Sequence, residues 1–271
     1  MPVTKSATIL PDGLSYFEYQ RRVAHEVVIP WLANRVSLDG AQVGDFGAHH
    51  GGTLEALRDW GGVEGATGFE LSPELVAASP FLPDGRFRLE VADVMALKPH
   101  EYAFDLVILH DVLEHIPDTL DALVAVRHSL ESGGRVFVSF APYYSGFGGH
   151  QQLAAGAARV VPFVHLLPAP LFFRLSRPGS QEYMSEQGAL DDMVSVRHTK
   201  LTISKAERAF ARAGFAVLDR ELFVVRPEYT IRYGMNVRSA AWLGSVRGVR
   251  EMIVNGAFYL LQSIDHESMN G

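Results

Sequence analysis

The stretch VGDFGAHHGGT, Val43 to Thr53, carries a run of strand-forming residues into a glycine-rich turn and out into helical spacing. Its glycines decide which kind of nucleotide fold is in play. A phosphate-cradling dinucleotide loop needs G-x-G-x-x-G so that the backbone can approach a pyrophosphate. Here His49 stands two residues after Gly47, and the next glycines are Gly51 and Gly52, so that spacing is absent. A P-loop is excluded too, because Gly52 is followed by Thr53 and Leu54 where lysine and a hydroxyl residue are required.

Outward from this turn the chain alternates strands and helices. The strand before it is Ala41 to Phe46 and the helix after it Thr53 to Trp60. Ala66 to Glu70 reads as the second strand, followed by Ser72-Pro73-Glu74, a helix start with a capping serine, a first-turn proline and an acidic residue. Phe87 to Val91 is the third strand. FDLVILH, Phe104 to His110, is the fourth, apolar enough to be buried on both faces. A helix over Leu120 to Leu130 closes at Gly133-Gly134, and Arg135 to Phe140 is the fifth strand. This rhythm predicts an α/β fold with a doubly wound parallel sheet and a ligand at the C-terminal ends of its strands. Ahead of it, Tyr16 to Val36 has helical spacing interrupted by Pro30, giving an N-terminal helical segment over 14–36. After it, 142–199 is rich in Gly, Pro and aromatics and is expected to cover the ligand crevice as a lid. Ser204 to Ala213 is a helix, Phe215 to Val225 a strand, 226–255 a second insertion with helix, and Phe258 to Ile264 a final strand. The whole of 1–271 reads as one domain with its ligand-binding core at 40–140 and the rest of that core in 200–271.

The opening stretch resembles motif I of the class I S-adenosylmethionine-dependent methyltransferases, hhDhGxGxG, with Val43, Asp45, Gly47 and Gly51 matching and His49 in place of the middle glycine. Four further landmarks follow in order. ATGFELSP puts Glu70, with Leu71 beside it, where the family's acidic residue takes both ribose hydroxyls. VADVMAL puts Asp93 where an aspartate accepts from the adenine amino group and Val94 where a backbone N–H donates. FDLVILHDVLEHIPD and LESGGRVFVS resemble the fourth-strand and fifth-strand signatures. The resemblance covers 40–140 strongly and 200–225 weakly. It implies a Rossmann-like, mostly parallel seven-stranded sheet, S-adenosyl-L-methionine as cofactor, and a cofactor site of Asp45, Gly47, His49, Gly51, Glu70, Leu71, Asp93, Val94 and His110. His49 must turn its side chain away from the donor or meet the donor's carboxylate.

Composition narrows the acceptor. Acidic residues outnumber basic ones, 31 to 24, and the net charge of −7 offers nucleic acid no general attraction. There is no cysteine, which removes disulfides and thiolate catalysis. MPVTKSATILPDG at the N-terminus lacks the apolar centre of a signal peptide, and cytoplasmic residence is the expectation. Leu153 to Phe173 approaches the length of a membrane span, but Arg159, three prolines and His165 argue for an apolar cap instead of an integral membrane segment. A small-molecule substrate is the expected partner, with a homodimer as the protein partner considered.

Four residues are candidates for catalysis: His150 as a general base or as a holder of the lid loop, Tyr144 beside it in APYYSGFGGHQQ, and His110 and Asp111 at the end of the fourth strand. The APYY segment echoes N-P-P-Y of amino-methyltransferases, but follows the fifth strand instead of the fourth, so base-amine methylation is not expected. Glu114 and His115 read as helix-end contacts to backbone, and His165 as a satisfied core histidine. No metal is expected, since adjacent pairs such as His49-His50 and His110-Asp111 rarely chelate one ion and H-x-x-x-H is absent. Tyr16, Phe17 and Tyr19 are placed to fold over the cofactor. Arg226, Arg232, Arg238, Arg247 and Arg250 read as a solvated basic face, with an anionic substrate as the alternative. The expected reaction is methylation of a hydroxyl in a biosynthetic pathway of the sugar, polyketide or secondary-metabolite kind. A lipid or quinone acceptor at a membrane surface, and a non-catalytic cofactor-binding partner, are the alternatives.

Overall fold

Successive residues of FDLVILH pack on opposite sides of one sheet: Val107 and Leu109 join one apolar cluster, Leu106 and Ile108 the other. That alternation of period two, with both faces apolar, is what a strand covered by helices on each side requires. The computed structural model describes residues 10, 14–181, 183–243 and 246–264. The N-terminal stretch read above for a signal peptide lies outside them apart from Leu10.

Strands β1 (Gln42–Phe46), β2 (Gly65–Glu70), β3 (Phe87–Val91), β4 (Phe104–His110), β5 (Leu130–Phe140), β6 (Phe215–Val225), β7 (Arg238–Ser239) and β8 (Gly256–Ser263) form one sheet in the order β3-β2-β1-β4-β5-β8-β6-β7. β1 to β5 pair in parallel; β8 runs antiparallel between β5 and β6. The expected count of seven is corrected to eight among the described residues. The addition is β7, an edge strand of two residues inside the second insertion, too short to leave an alternating pattern in sequence. Strand order reverses between β1 and β4, so the loops after these two strands diverge and leave a crevice at their C-terminal ends.

The helices in chain order are α1 (Tyr16–Val23), α2 (Ile29–Ala33), α3 (Gly52–Trp60), α4 (Pro73–Ala77), α5 (Thr119–His128), α6 (Ala169–Leu175), α7 (Glu186–Thr199), α8 (Ile203–Arg212), α9 (Glu228–Tyr233) and α10 (Val249–Ile253). α5 and α8 supply Leu123, Val126, Ala206 and Phe210 to one face of the sheet. α3 and the N-terminal helices supply Leu54, Leu57, Trp31 and Leu32 to the other. Pro30 does not break the N-terminal helix. Ala24–Val28 widens into a π turn, with Ile29 N–H bonded to Ala24 C=O, and Pro30 falls in the first turn of α2, where its missing donor is tolerated. α1 then lies directly on the start of α3, because Gly52 has no side chain: a Cβ there would stand 2.5 Å from Gln20 Cβ and 2.6 Å from the Phe17 carbonyl oxygen.

Segment 142–199 contains three 3-10 turns, α6 and α7, and has a core of its own in Leu153, Val164, Phe172, Ala189 and Met193. Burying Phe172 and Met193 fully stabilises this cover by about 1.5–3 kcal/mol each. Among the described residues no helix is long and apolar enough to cross a membrane.

Candidate active site

β1 delivers Asp45 and then turns at Gly47, whose φ of +83 favours glycine and whose missing Cβ would stand 2.5 Å from Val112 Cγ2. His49 holds φ +52 two residues later, a left-handed conformation that costs a non-glycine residue about 1–3 kcal/mol. Its contacts offset that strain. The His49 N–H donates to Glu70 Oε2 at 2.9 Å, and its ring packs 4.4 Å from the Tyr16 ring. Burial, with the neighbouring charge of His50 adding to it, pushes the His49 imidazole down to about 3, so it is neutral at neutral pH. Gly51, with φ +78, caps α3.

The same edge of the sheet carries the carboxylates. Asp45 is 3% exposed and its Oδ2 has no hydrogen-bond partner; burial pushes its carboxyl up to about 7. Glu70, ending β2, accepts the Ser72 N–H on Oε1 and the His49 N–H on Oε2, both at 2.9 Å. Each oxygen keeps a further acceptor site. Leu71 beside it is 69% exposed, unusually open for leucine. After β3, Asp93 Oδ1 accepts the Met95 N–H at 2.9 Å, and Val94 opens the 3-10 turn Val94–Ala96.

A cavity of about 290 Å³ opens beside this loop, walled by α1, the end of β4, segment 142–199 and α9. Two charged groups face it. In the first, Arg226 is buried and sets Nη2 2.8 Å from both Asp111 oxygens and 2.7 Å from Glu228 Oε1, while its Nε donates to Glu228 Oε2 at 2.9 Å. Asp111, with φ +56, also receives the Ser139 hydroxyl at 3.0 Å. His110 Nε2 is 3.2 Å from Glu228 Oε1. Burial works against ionisation here, but Arg226 outweighs it and holds Glu228 down at about 2 and Asp111 well below the usual carboxylate range. Burial likewise opposes the His110 charge, yet the Glu228 hydrogen bond and Asp111 lift its pKa above the ordinary value.

The second group ties the turn after β4 to the cover. His150 Nδ1 is 2.6 Å from Asp192 Oδ1, His115 Nδ1 is 2.8 Å from Ser195 Oγ, and the two imidazoles are 5.1 Å apart by ring centroid. Burial would lower His150, but Asp192 lifts it to about 9, so it carries its proton at neutral pH. Glu114 sits behind them, 2% exposed; burial, with the Asp111 charge adding to it, raises its carboxyl to about 8. In the cavity wall Tyr183 stacks on Tyr16 at 4.1 Å and 18°.

Of the residues nominated from sequence, Gly47, His49, His110, Asp111 and His150 line the cavity. Asp45 in β1, Glu70 at the end of β2, and Gly51, Leu71, Asp93 and Val94 in the turns that follow β1, β2 and β3 lie outside its lining. Tyr144 is not brought to the site: it is 40% exposed, because a turn closed by Ser145 N–H on Pro142 C=O sends Tyr143 inward and Tyr144 out. Tyr16 and Tyr19 line the cavity, whereas Phe17 faces away from it. The reading of Glu114 and His115 as backbone contacts is corrected, since the Glu114 oxygens have no partner and His115 faces the cavity. His165 is fully buried and donates through Nε2 to the Tyr143 carbonyl at 2.7 Å. The solvated basic face is corrected as well: Arg226 and Arg250 are buried, Arg250 against Glu207, and Arg232 lines the cavity, leaving only Arg238 and Arg247 exposed. Tyr183, Asp192 and Glu228 were missed. For Asp192 a signal existed, because Ala189, Met193 and Val196 recur at helical spacing after the capping Ser185 and mark α7.

The chain matches the model of the methyltransferase domain family over residues 16–219. A ubiquinone biosynthesis O-methyltransferase of Xylella fastidiosa (strain M23) is 35% identical over 119 residues, 42% of this chain and 47% of that protein; the match thus spans about half the length of such curated relatives. Among solved structures, a chain of the complex between the Haloferax volcanii Trm112 methyltransferase activator and the putative methyltransferase superposes with a TM-score of 0.56 at 16% identity, covering 94% of this chain and 95% of that one. Magnesium protoporphyrin IX methyltransferase from Synechocystis PCC 6803, with bound SAH, gives 0.54 at 16% identity over 94% and 91%. These likenesses show the fold.

Proposed function

The chain belongs to the class I S-adenosylmethionine-dependent methyltransferases, and from that premise we propose that it methylates a hydroxyl oxygen of a small-molecule acceptor. When bound, S-adenosylmethionine supplies an electrophilic methyl group on a sulfonium, open to in-line displacement. The residues present fit that donor. Glu70 keeps an acceptor site on each oxygen for a pair of ribose hydroxyls, and Asp93 keeps Oδ2 for an amino group. Exposed Leu71 and Met95 offer apolar surface to a flat ring, and the orphaned Asp45 Oδ2 awaits a donor.

The observation that carries the acceptor class is the cavity. It adjoins the motif turn, its volume suits a small molecule, and Asp111, Arg226, Glu228, His150 and Asp192 present it with paired charges that bind oxygen-bearing groups. Nucleic acid finds no basic track there. The relatives named O-methyltransferases support oxygen as the atom. Methyl-labelled S-adenosylmethionine, incubated with the protein and a metabolite extract, is expected to yield a product heavier by one methylene whose label NMR places on oxygen. Label on nitrogen or carbon, or none transferred, would sink the proposal.

One observation favours a second reading, a lipid or quinone acceptor taken up at a membrane surface. Val160, Val161, Phe163, Leu166, Leu171 and Leu175 are all exposed on the cover, with Arg174 and Arg177 exposed beside them. On this reading the protein sediments with phosphatidylglycerol-containing vesicles, and Val160→Asp with Leu175→Asp releases it. Wild-type protein staying in the supernatant disposes of the reading.

A further inference from the structure

Glu114, His115 and His150 each turn one ligand-capable atom to within 4.8 Å of the others. Glu114 comes from the 3-10 turn Leu113–His115 after β4, is 2% exposed, and neither carboxylate oxygen has a hydrogen-bond partner. A buried carboxyl without partners is costly, and native structures keep one where something outside the chain completes it. The imidazoles are oriented from behind. Ser195 Oγ gives its single proton to the Asp192 carbonyl at 2.7 Å, so toward His115, at 2.8 Å, it accepts. His115 therefore holds its proton on Nδ1 and presents Nε2 as a lone pair. Asp192 Oδ1, 2.6 Å from His150 Nδ1, keeps a proton on that nitrogen, so Nε2 is the ring atom left to exchange its own proton for a cation. A carboxylate or hydroxyl behind the far ring nitrogen is the usual support of a metal-bound histidine.

We propose that Glu114, His115 and His150 bind one divalent transition-metal cation whose open coordination position faces the acceptor cavity. His115 and His150 both line that cavity, so the position between them is reached from it. Two imidazoles and one carboxylate suit zinc, manganese or cobalt better than magnesium or calcium, which prefer all-oxygen sites. Ligand atoms around such an ion stand at most about 4.2 Å apart, twice a bond of about 2.1 Å, so a small side-chain adjustment closes the shell. His110, Asp111 and Glu228 form a second group of the same size, but Arg226 already supplies its positive charge. The role of the cation, unlike the site, rests on the methyltransferase reading: it takes the acceptor hydroxyl oxygen into its open position and eases passage of that proton to water, after which the oxygen takes the methyl group as the S–CH3 bond breaks and S-adenosylhomocysteine leaves.

The test is calorimetric titration of the whole chain, stripped with EDTA and exchanged into metal-free buffer, with ZnCl2 and MnCl2, alongside visible absorption after CoCl2. One equivalent is expected to bind, with cobalt bands of a nitrogen–oxygen site. Glu114→Gln and His150→Asn should each weaken binding at least tenfold, with circular dichroism reporting the fold. His128→Ala, which alters the exposed His100–His128 pair, should leave binding unchanged. No binding by wild type, binding kept by Glu114→Gln and His150→Asn, or binding lost in His128→Ala overturns the inference. S-adenosylmethionine is titrated into the same samples. Donor binding without cation binding defeats the cation site and leaves the methyltransferase reading standing. Cation binding without donor binding does the reverse.

Discussion

Arg226→Met is expected to cost about 3 kcal/mol of folding stability, read as a fall in melting temperature of roughly 6–12 °C. Arg226 is 6% exposed and is the shared counter-charge of Asp111 and Glu228. Removing it strands two carboxylates. The Glu228 side chain, 5% exposed, bears most of the penalty, whereas Asp111, with 37% of its side chain open, is partly relieved by water in the cavity. The effect depends on pH. In the folded chain the Glu228 carboxyl sits at about 2, against about 4.3 when unfolded. Its ionised form is thus favoured by folding, and the stability it gives is complete above about pH 4.3 and is lost as the pH falls toward 2. Thermal melts of wild type and variant should therefore converge in acid. A gap as wide at the acid end as at pH 7 would show that the ion pair is not its source. Adding Glu228→Gln to the variant removes both buried charges and should recover much of the loss.

Glu70→Ala is expected to weaken S-adenosylmethionine binding by about 100-fold, near 3 kcal/mol, the worth of one or two hydrogen bonds to a charged acceptor. The same carboxylate also pins the turn, because it receives the His49 and Ser72 amides at 2.9 Å. Glu70→Gln, which keeps an acceptor for only part of that set, should fall between the two. Titration calorimetry with S-adenosylmethionine and S-adenosylhomocysteine measures all three proteins. Full affinity in Glu70→Ala would mean that the donor lies elsewhere.

Sequence reached as far as local chemistry reaches. β4 was readable because both its faces are apolar, and Glu70 and Asp93 because each follows its strand within a few residues. The Glu114–His115 pair was in view, but without partners to give it meaning. His150 finds Asp192 across 42 positions, and Asp111 finds Arg226 across 115. No periodicity encodes such pairings; they exist only once α7 and the turn after β6 are folded against the end of β4. The choice between Tyr143 and Tyr144 was likewise decided by one turn, since adjacent residues of equal chemistry point to opposite sides. His49 stands in the motif where the family has its middle glycine. Its left-handed backbone shows that the turn keeps the glycine shape with a different residue, supported by Tyr16 from a helix that precedes the motif.

The cover over 142–199 buries Leu153, Val164, Phe172, Ala189 and Met193 among themselves, apart from the two clusters that sandwich the sheet. Inheritance can therefore act on the two parts at different speeds. Apart from Tyr183, which stacks on Tyr16 beside the motif turn, changes on the cavity side of the cover leave the strand layer intact, and lineages that share this sheet are free to diverge in what they accept.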